Sequence, residues 1–141
     1  MDLLGVVPVA SIRHERRIAA DADTVWDIVR RPESIPHWFP GVVSCTVEGN
    51  IRVITTAIGL EIPEEILGND DVTRHFAYRI TAAPYSFHLG VIDVIEIAPG
   101  DSLCIYSTTA IPDPLALLIA GGTIGALGEI QRIAELSSVA R

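Results

Sequence analysis

The chemistry open to this sequence is bounded first by the reactive side chains it lacks. Its cationic residues are all arginine, which excludes Schiff-base chemistry through a lysine. Cys45 and Cys104 show neither C-x-x-C spacing nor a cysteine–histidine cluster, so two buried reduced thiols are expected. His14, His37, His75 and His88 lie on four separate stretches without H-x-x-x-H or H-E-x-x-H spacing, and no metal site is expected. His37 draws attention because it adjoins Trp38; the other three read as solvated or edge positions. A carboxylate then stands out. In "SFHLGVIDVIEI", strand alternation groups Asp93 with Phe87, Leu89, Val91, Ile95 and Ile97. If that apolar row faces inward, Asp93 must be paired, hydrogen-bonded, protonated or beside water in a cavity. Without a cationic partner its pKa would rise, which suits proton exchange or donation to a ligand carbonyl.

The elements that would position such a group follow from periodicity and turn residues. Residues 8–18 read as a first strand. Asp21 stands where a helix N-cap belongs, and Ala22, Val25, Trp26 and Val29 share one face at helical spacing. Pro32 stops that helix, and Ser34 can cap a short turn, "IPHW", that Pro40 and Gly41 end. Strands and tight turns run from there to residue 111, with Gly49-Asn50 as a hairpin signal. Pro63 is awkward inside a strand, so residues 59–63 read as a loop at a cavity mouth, with the next strand starting at Glu64. After "IPDP", Asp113 and Pro114 start a long last helix running to about Ser137. Gly121, Gly122, Gly125 and Gly128 thin that helix, for close packing or for ligand space.

Composition limits the function classes. At 141 residues the chain is read as one domain, residues 1–141, large enough to bury a core without disulfides or metal. Hydrophobic residues make up 49% and aromatic ones only 6%, so the excess is aliphatic and calls for a large core, a ligand or a partner. The net charge of −8 argues against nucleic acid and against a basic membrane patch. The N-terminus lacks the basic region of a signal peptide, and the longest uncharged run, residues 114–128, is too short to span a membrane. A cytoplasmic protein without stable membrane insertion is therefore expected.

Order and spacing carry a resemblance. A strand, two short helices, six antiparallel strands and a long last helix, together with "RIAADADTVWDIV", "PHWFPGV", "EEILGNDDVTRHFAYRI" and "IPDP", resemble the START-like superfamily. This superfamily is also called SRPBCC, helix-grip or birch-allergen-like, and the likeness is to its polyketide cyclase/dehydrase-type branch, over residues 8–137. Glu64, Asp70, Arg74 and Tyr78 fit the pattern of that branch. The resemblance implies an α+β helix-grip fold: a seven-stranded curved antiparallel sheet around a C-terminal helix, with a cavity between them.

Three functions are compatible with that fold. The favoured one is binding or transport of a small hydrophobic molecule, such as a lipid, polyketide or isoprenoid, with no cofactor. A cyclase or dehydratase would use Glu64 or Asp93 as acid–base groups, Tyr78 as donor to an enolate oxygen and Arg52 as an anion clamp. A protein-interaction module would use the same groove, and a homodimer is left open. The expected lining is Glu64, Ile66, Phe76, Tyr78, Leu89, Val91, Asp93, Ile105, Ser107 and Gly122, with Trp38 and Arg52 nearer the mouth.

Overall fold

The computed structural model describes residues 9–139. Pro8, the expected start of the first strand, and the N-terminal segment read against a signal peptide lie outside them. Seven strands form one antiparallel sheet: β1 (Ala10–Ile18), β2 (Val42–Glu48), β3 (Ile51–Thr56), β4 (Glu61–Asp70), β5 (His75–Ile80), β6 (Phe87–Ala98) and β7 (Asp101–Ile111). Their order is β1-β7-β6-β5-β4-β3-β2, so five hairpins in succession are closed by the first strand joining the last. Helix α1 (Ala22–Val29), a 3-10 turn (Pro32–Ser34) and α2 (Ile35–Trp38) bridge β1 to β2. Helix α3 (Asp113–Val139) lies across the concave face, packed on β1, β7 and α1.

Local chemistry explains the helices. Val25, Trp26 and Val29 are buried on the apolar stripe of α1. Asp21 precedes α1 as expected, yet its carboxylate makes no capping bond; it accepts from the Gly100 amide at 2.6 Å and ties α1 to the β6–β7 turn. Arg30, at the other end of α1, pairs with Asp71, which also accepts from the Trp26 indole at 2.8 Å. The Ser34 hydroxyl accepts from the Trp38 indole at 3.1 Å and can donate to the Ile28 and Arg31 carbonyls. That network holds Trp38 in the core, where it meets Phe39 and Tyr106.

Helix α3 is continuous despite its glycines. Ala116, Ala120, Thr123, Ala126, Leu127, Ile130 and Ala134 form its buried face. By length and composition α3 could cross a membrane, unlike the shorter uncharged run that the sequence displays. Its buried face packs on β1 and β7. Gly122 sits where a Cβ would fall 2.9 Å from the Phe39 ring, and Gly125 faces Pro40.

Two stretches differ from expectation. Pro63 lies within β4, opposite Val53 of β3, and its carbonyl accepts from the Thr81 amide at 3.1 Å, so the expected loop shrinks to residues 57–60. A strand residue's nitrogen and carbonyl share one edge, and here that edge meets β5 only where its ladder ends. The missing N–H therefore interrupts nothing. Alternation over residues 72–80 groups Val72 and Arg74 inward with Phe76 and Tyr78, yet both belong to the turn before β5, where Val72 is exposed and Arg74 has φ 54°. Arg74 reaches Asp23 and not the interior.

Candidate functional site

A cavity of about 610 Å³ lies between the sheet and the first half of α3. Ile35, Phe39 and Val42 close one side, Ile54, Ile62 and Ile80 form its floor, and Leu115, Ile119 and Gly122 form its roof. Ile58, Leu60 and Leu118 line it while remaining exposed, which marks the mouth. The 57–60 turn is thus at the mouth, as expected of the longer loop. Among the described residues, Glu61 and Glu64 are the only charged ones of the wall; Tyr78, Tyr85, His88 and Thr56 add the polar side-chain groups.

Beneath this wall sits a buried polar cluster. Arg52 and Glu64 face each other across β3 and β4, and the Arg52 Nε donates to Glu64 at 2.7 Å. Both are almost fully buried. Arg52 Nη1 donates to the Pro32 carbonyl at 3.1 Å, and the guanidinium lies over the Phe76 and Tyr78 rings. Burial raises the Glu64 carboxyl above its ordinary value, while Arg52 draws it back. Tyr78 and Tyr106 join hydroxyl to hydroxyl at 2.5 Å, and burial pushes the Tyr78 phenol well above its usual range. Tyr78 has room because its cross-strand partner is Gly90: a Cβ there would lie 2.4 Å from the ring.

The structure divides the expected site. Glu64, Tyr78 and Gly122 line the cavity. Arg52 and Phe76 lie behind the wall, Ile66 packs against the core, and Trp38 is core rather than mouth. Leu89, Val91, Asp93, Ile105 and Ser107 are on the opposite face of the sheet. Asp93 is half-exposed there and contacts His75 Nδ1 at 2.6 Å. The inward rows are His88, Gly90, Ile92 and Val94 on β6, and Ser102, Cys104, Tyr106, Thr108 and Ala110 on β7. Residues opposite one another in an antiparallel ladder share a face. Phe76 opposes Ile92, and Ile92 opposes Tyr106, so the inward choice for β5 determines the other two. Asp93 is thereby removed from any acid–base role at this cavity.

Sequence reasoning missed His88, Tyr85, Gly90 and Tyr106. His88 is 2% exposed, whereas His37, the histidine singled out, is exposed. His88 Nδ1 accepts from the Ile80 amide at 2.9 Å, and burial lowers its pKa to about 4. The available signal was the alternation of β6 itself, which has two apolar rows, one of them containing both His88 and Gly90.

An antiparallel sheet wrapped on a C-terminal helix over an apolar cavity defines the START-like, helix-grip class. The sequence profile described as polyketide cyclase / dehydrase and lipid transport matches residues 9–132, and the chain belongs to that family. No curated protein matches it in sequence. Among solved structures, XoxI from Bacillus cereus is 24% identical, with 89% of this chain and 95% of that one covered at a TM-score of 0.82. A START superfamily protein from Mycobacterium smegmatis is 15% identical, with 89% and 97% covered at 0.73. Norcoclaurine synthase from Thalictrum flavum, solved with dopamine and hydroxybenzaldehyde, is 19% identical, with 95% and 89% covered at 0.72. These likenesses show the fold.

Proposed function

We propose that the chain binds a small hydrophobic molecule in the cavity between sheet and helix. The observation that carries this reading is the cavity itself: about 610 Å³, walled mostly by aliphatic side chains and opening between Ile58, Leu60 and Leu118. That volume falls within the range of small-molecule sites, and burying a ligand's apolar area there supplies the driving force. The family's link with lipid transport supports the same reading. A net charge of −8 fits a cytoplasmic carrier that avoids nucleic acid. A cyclase or dehydratase remains the second reading because Glu64 and Tyr78 share one wall. It is the weaker one: Glu64 is engaged by Arg52 and Tyr78 by Tyr106, and Asp93 lies on the other face. The test is fluorescence of the neutral dye N-phenyl-1-naphthylamine. Wild type should enhance it saturably, and Ile119→Trp, which fills the roof, should weaken binding. No enhancement by folded wild type would sink the reading.

A further inference from the structure

Among the described residues, Glu64 is the only buried acid of the cavity wall, and its two oxygens have different surroundings. Oε1 accepts from Arg52 Nε at 2.7 Å, and no described residue donates to Oε2. The buried side-chain atoms without a partner are Arg52 Nη2, His88 Nε2, Ser102 Oγ and Thr108 Oγ1. These four have no accessible surface to offer a ligand. Oε2 is not one of them, so this partnerless oxygen keeps contact with open space, and the Glu64 side chain is 4% accessible. Glu64 belongs to the cavity wall, so that space is the cavity. Arg52 fixes the arrangement: the Pro32 carbonyl accepts from its Nη1 at 3.1 Å, and the Phe76 and Tyr78 rings lie against the guanidinium.

Arginine does not give up its proton, and a buried guanidinium needs a negative partner. Glu64 is therefore a carboxylate, which accepts hydrogen bonds and donates none. The other polar groups of the wall are occupied or wet. Thr56 Oγ1 accepts from the Leu60 amide, the Tyr78 hydroxyl is joined to Tyr106, and His88 Nδ1 accepts from the Ile80 amide. Glu61 is exposed and Tyr85 only half-buried, so water can satisfy both. A ligand O–H that meets Oε2 gains a charge-assisted bond, and its proton stays on the ligand. A ligand carbonyl or carboxylate would meet a second acceptor there. An ammonium ion would shed its hydration beside the Arg52 guanidinium, whose charge Glu64 already balances.

We propose that Glu64 Oε2 accepts a hydrogen bond from the uncharged hydroxyl of an otherwise aliphatic ligand, so that the cavity selects alcohols over the matching carbonyl compounds. The proposal rests on the binding reading above and names its ligand class. The experiment is displacement of N-phenyl-1-naphthylamine at neutral pH by 2-undecanol, 2-undecanone and protonated 2-aminoundecane. The three share one carbon skeleton, so their ratios isolate the polar group. Wild type should prefer the alcohol to the ketone by about ten-fold, as one bond to a charged acceptor gives. The ammonium ion should bind no tighter than the alcohol. Glu64→Gln keeps an oxygen for Arg52 and offers the cavity an amide donor, and should bring the alcohol-to-ketone ratio close to one or invert it. Arg52→Met/Glu64→Leu removes both charges and should also bring the ratio close to one; it decides the matter where the Gln variant does not fold. Equal binding of alcohol and ketone by wild type, a ketone preference, or an alcohol preference retained in either variant overturns the proposal. So does an ammonium ion that binds more tightly than the alcohol. If none of the three displaces bound dye, the proposal falls; if the dye itself does not bind, the broader reading falls first.

Discussion

The concave and convex faces of the sheet carry nearly the same kinds of side chain and end in different states. On β6 the inward row contains Ile92 and Val94, and the outward row Leu89, Val91, Ile95 and Ile97. On β7 the outward row, with Leu103, Ile105 and Ile111, is the more aliphatic of the two. Only the concave face is roofed by α3, and among the described residues it alone contains a fully buried ion pair, a buried tyrosine pair and a buried imidazole. On the convex face Phe87, Ile95 and Ile97 each remain 46% exposed. Apolar content alone therefore does not say which face is the core. The polar residues do more: Arg52 and Glu64 are tolerated inside because they meet each other, and Asp93 and His75 meet outside with water at hand.

The Arg52–Glu64 and His75–Asp93 contacts give the sharpest contrast. Glu64→Leu leaves the Arg52 guanidinium buried without its carboxylate and should cost about 3–5 kcal/mol in denaturant unfolding. The double variant Arg52→Met/Glu64→Leu should recover most of that loss. A single variant as stable as wild type would mean that the pair is not dry. The imidazoles come next. His88 has its pKa lowered to about 4 from the ordinary 6.5. An unfolded chain takes up that proton first, so the contribution is complete above pH 6.5 and lost as pH falls toward about 4. It amounts to about 3 kcal/mol, and His88→Asn should remove that part of the pH dependence. An unchanged stability–pH curve in the variant would place His88 in solvent.

Steric contrast is smaller. Gly90→Ala pushes a methyl group against the Tyr78 ring and should cost about 1–3 kcal/mol, whereas Val91→Ala on the outward row should cost less. Similar losses at both positions would erase the distinction between the faces. Asp93→Asn should change stability by less than about 1 kcal/mol, because its pair with His75 is half-exposed. A loss comparable to that of Glu64→Leu would mean the convex face is covered. The smallest effect concerns Asp71, held at about 2 by its bonds from Arg30 and Trp26. Its folded pKa lies below the unfolded one, so its stabilisation exists at neutral pH and disappears as pH falls from about 4 to about 2. Asp71→Asn should flatten that acid limb; an identical limb would assign it to other carboxylates.

The secondary structure was legible because its signals are local. Val25, Trp26 and Val29 declare α1 by their spacing, Gly49-Asn50 marks the β2–β3 turn, and Asp113 opens α3 where the prolines place it. The inward face of β5 was also readable, since Phe76 and Tyr78 face inward as alternation suggested. Alternation stops there. It sorts a strand's residues into two rows without saying which row meets the helix, and β6 and β7 are apolar on both. The choice is made by register: Tyr78 opposes Gly90, Phe76 opposes Ile92, and Ile92 opposes Tyr106. Those pairings join positions far apart in the chain, so no local window contains them. They put His88 in the cavity wall and Asp93 on the half-exposed convex face, because every residue of a strand turns over when its register shifts by one.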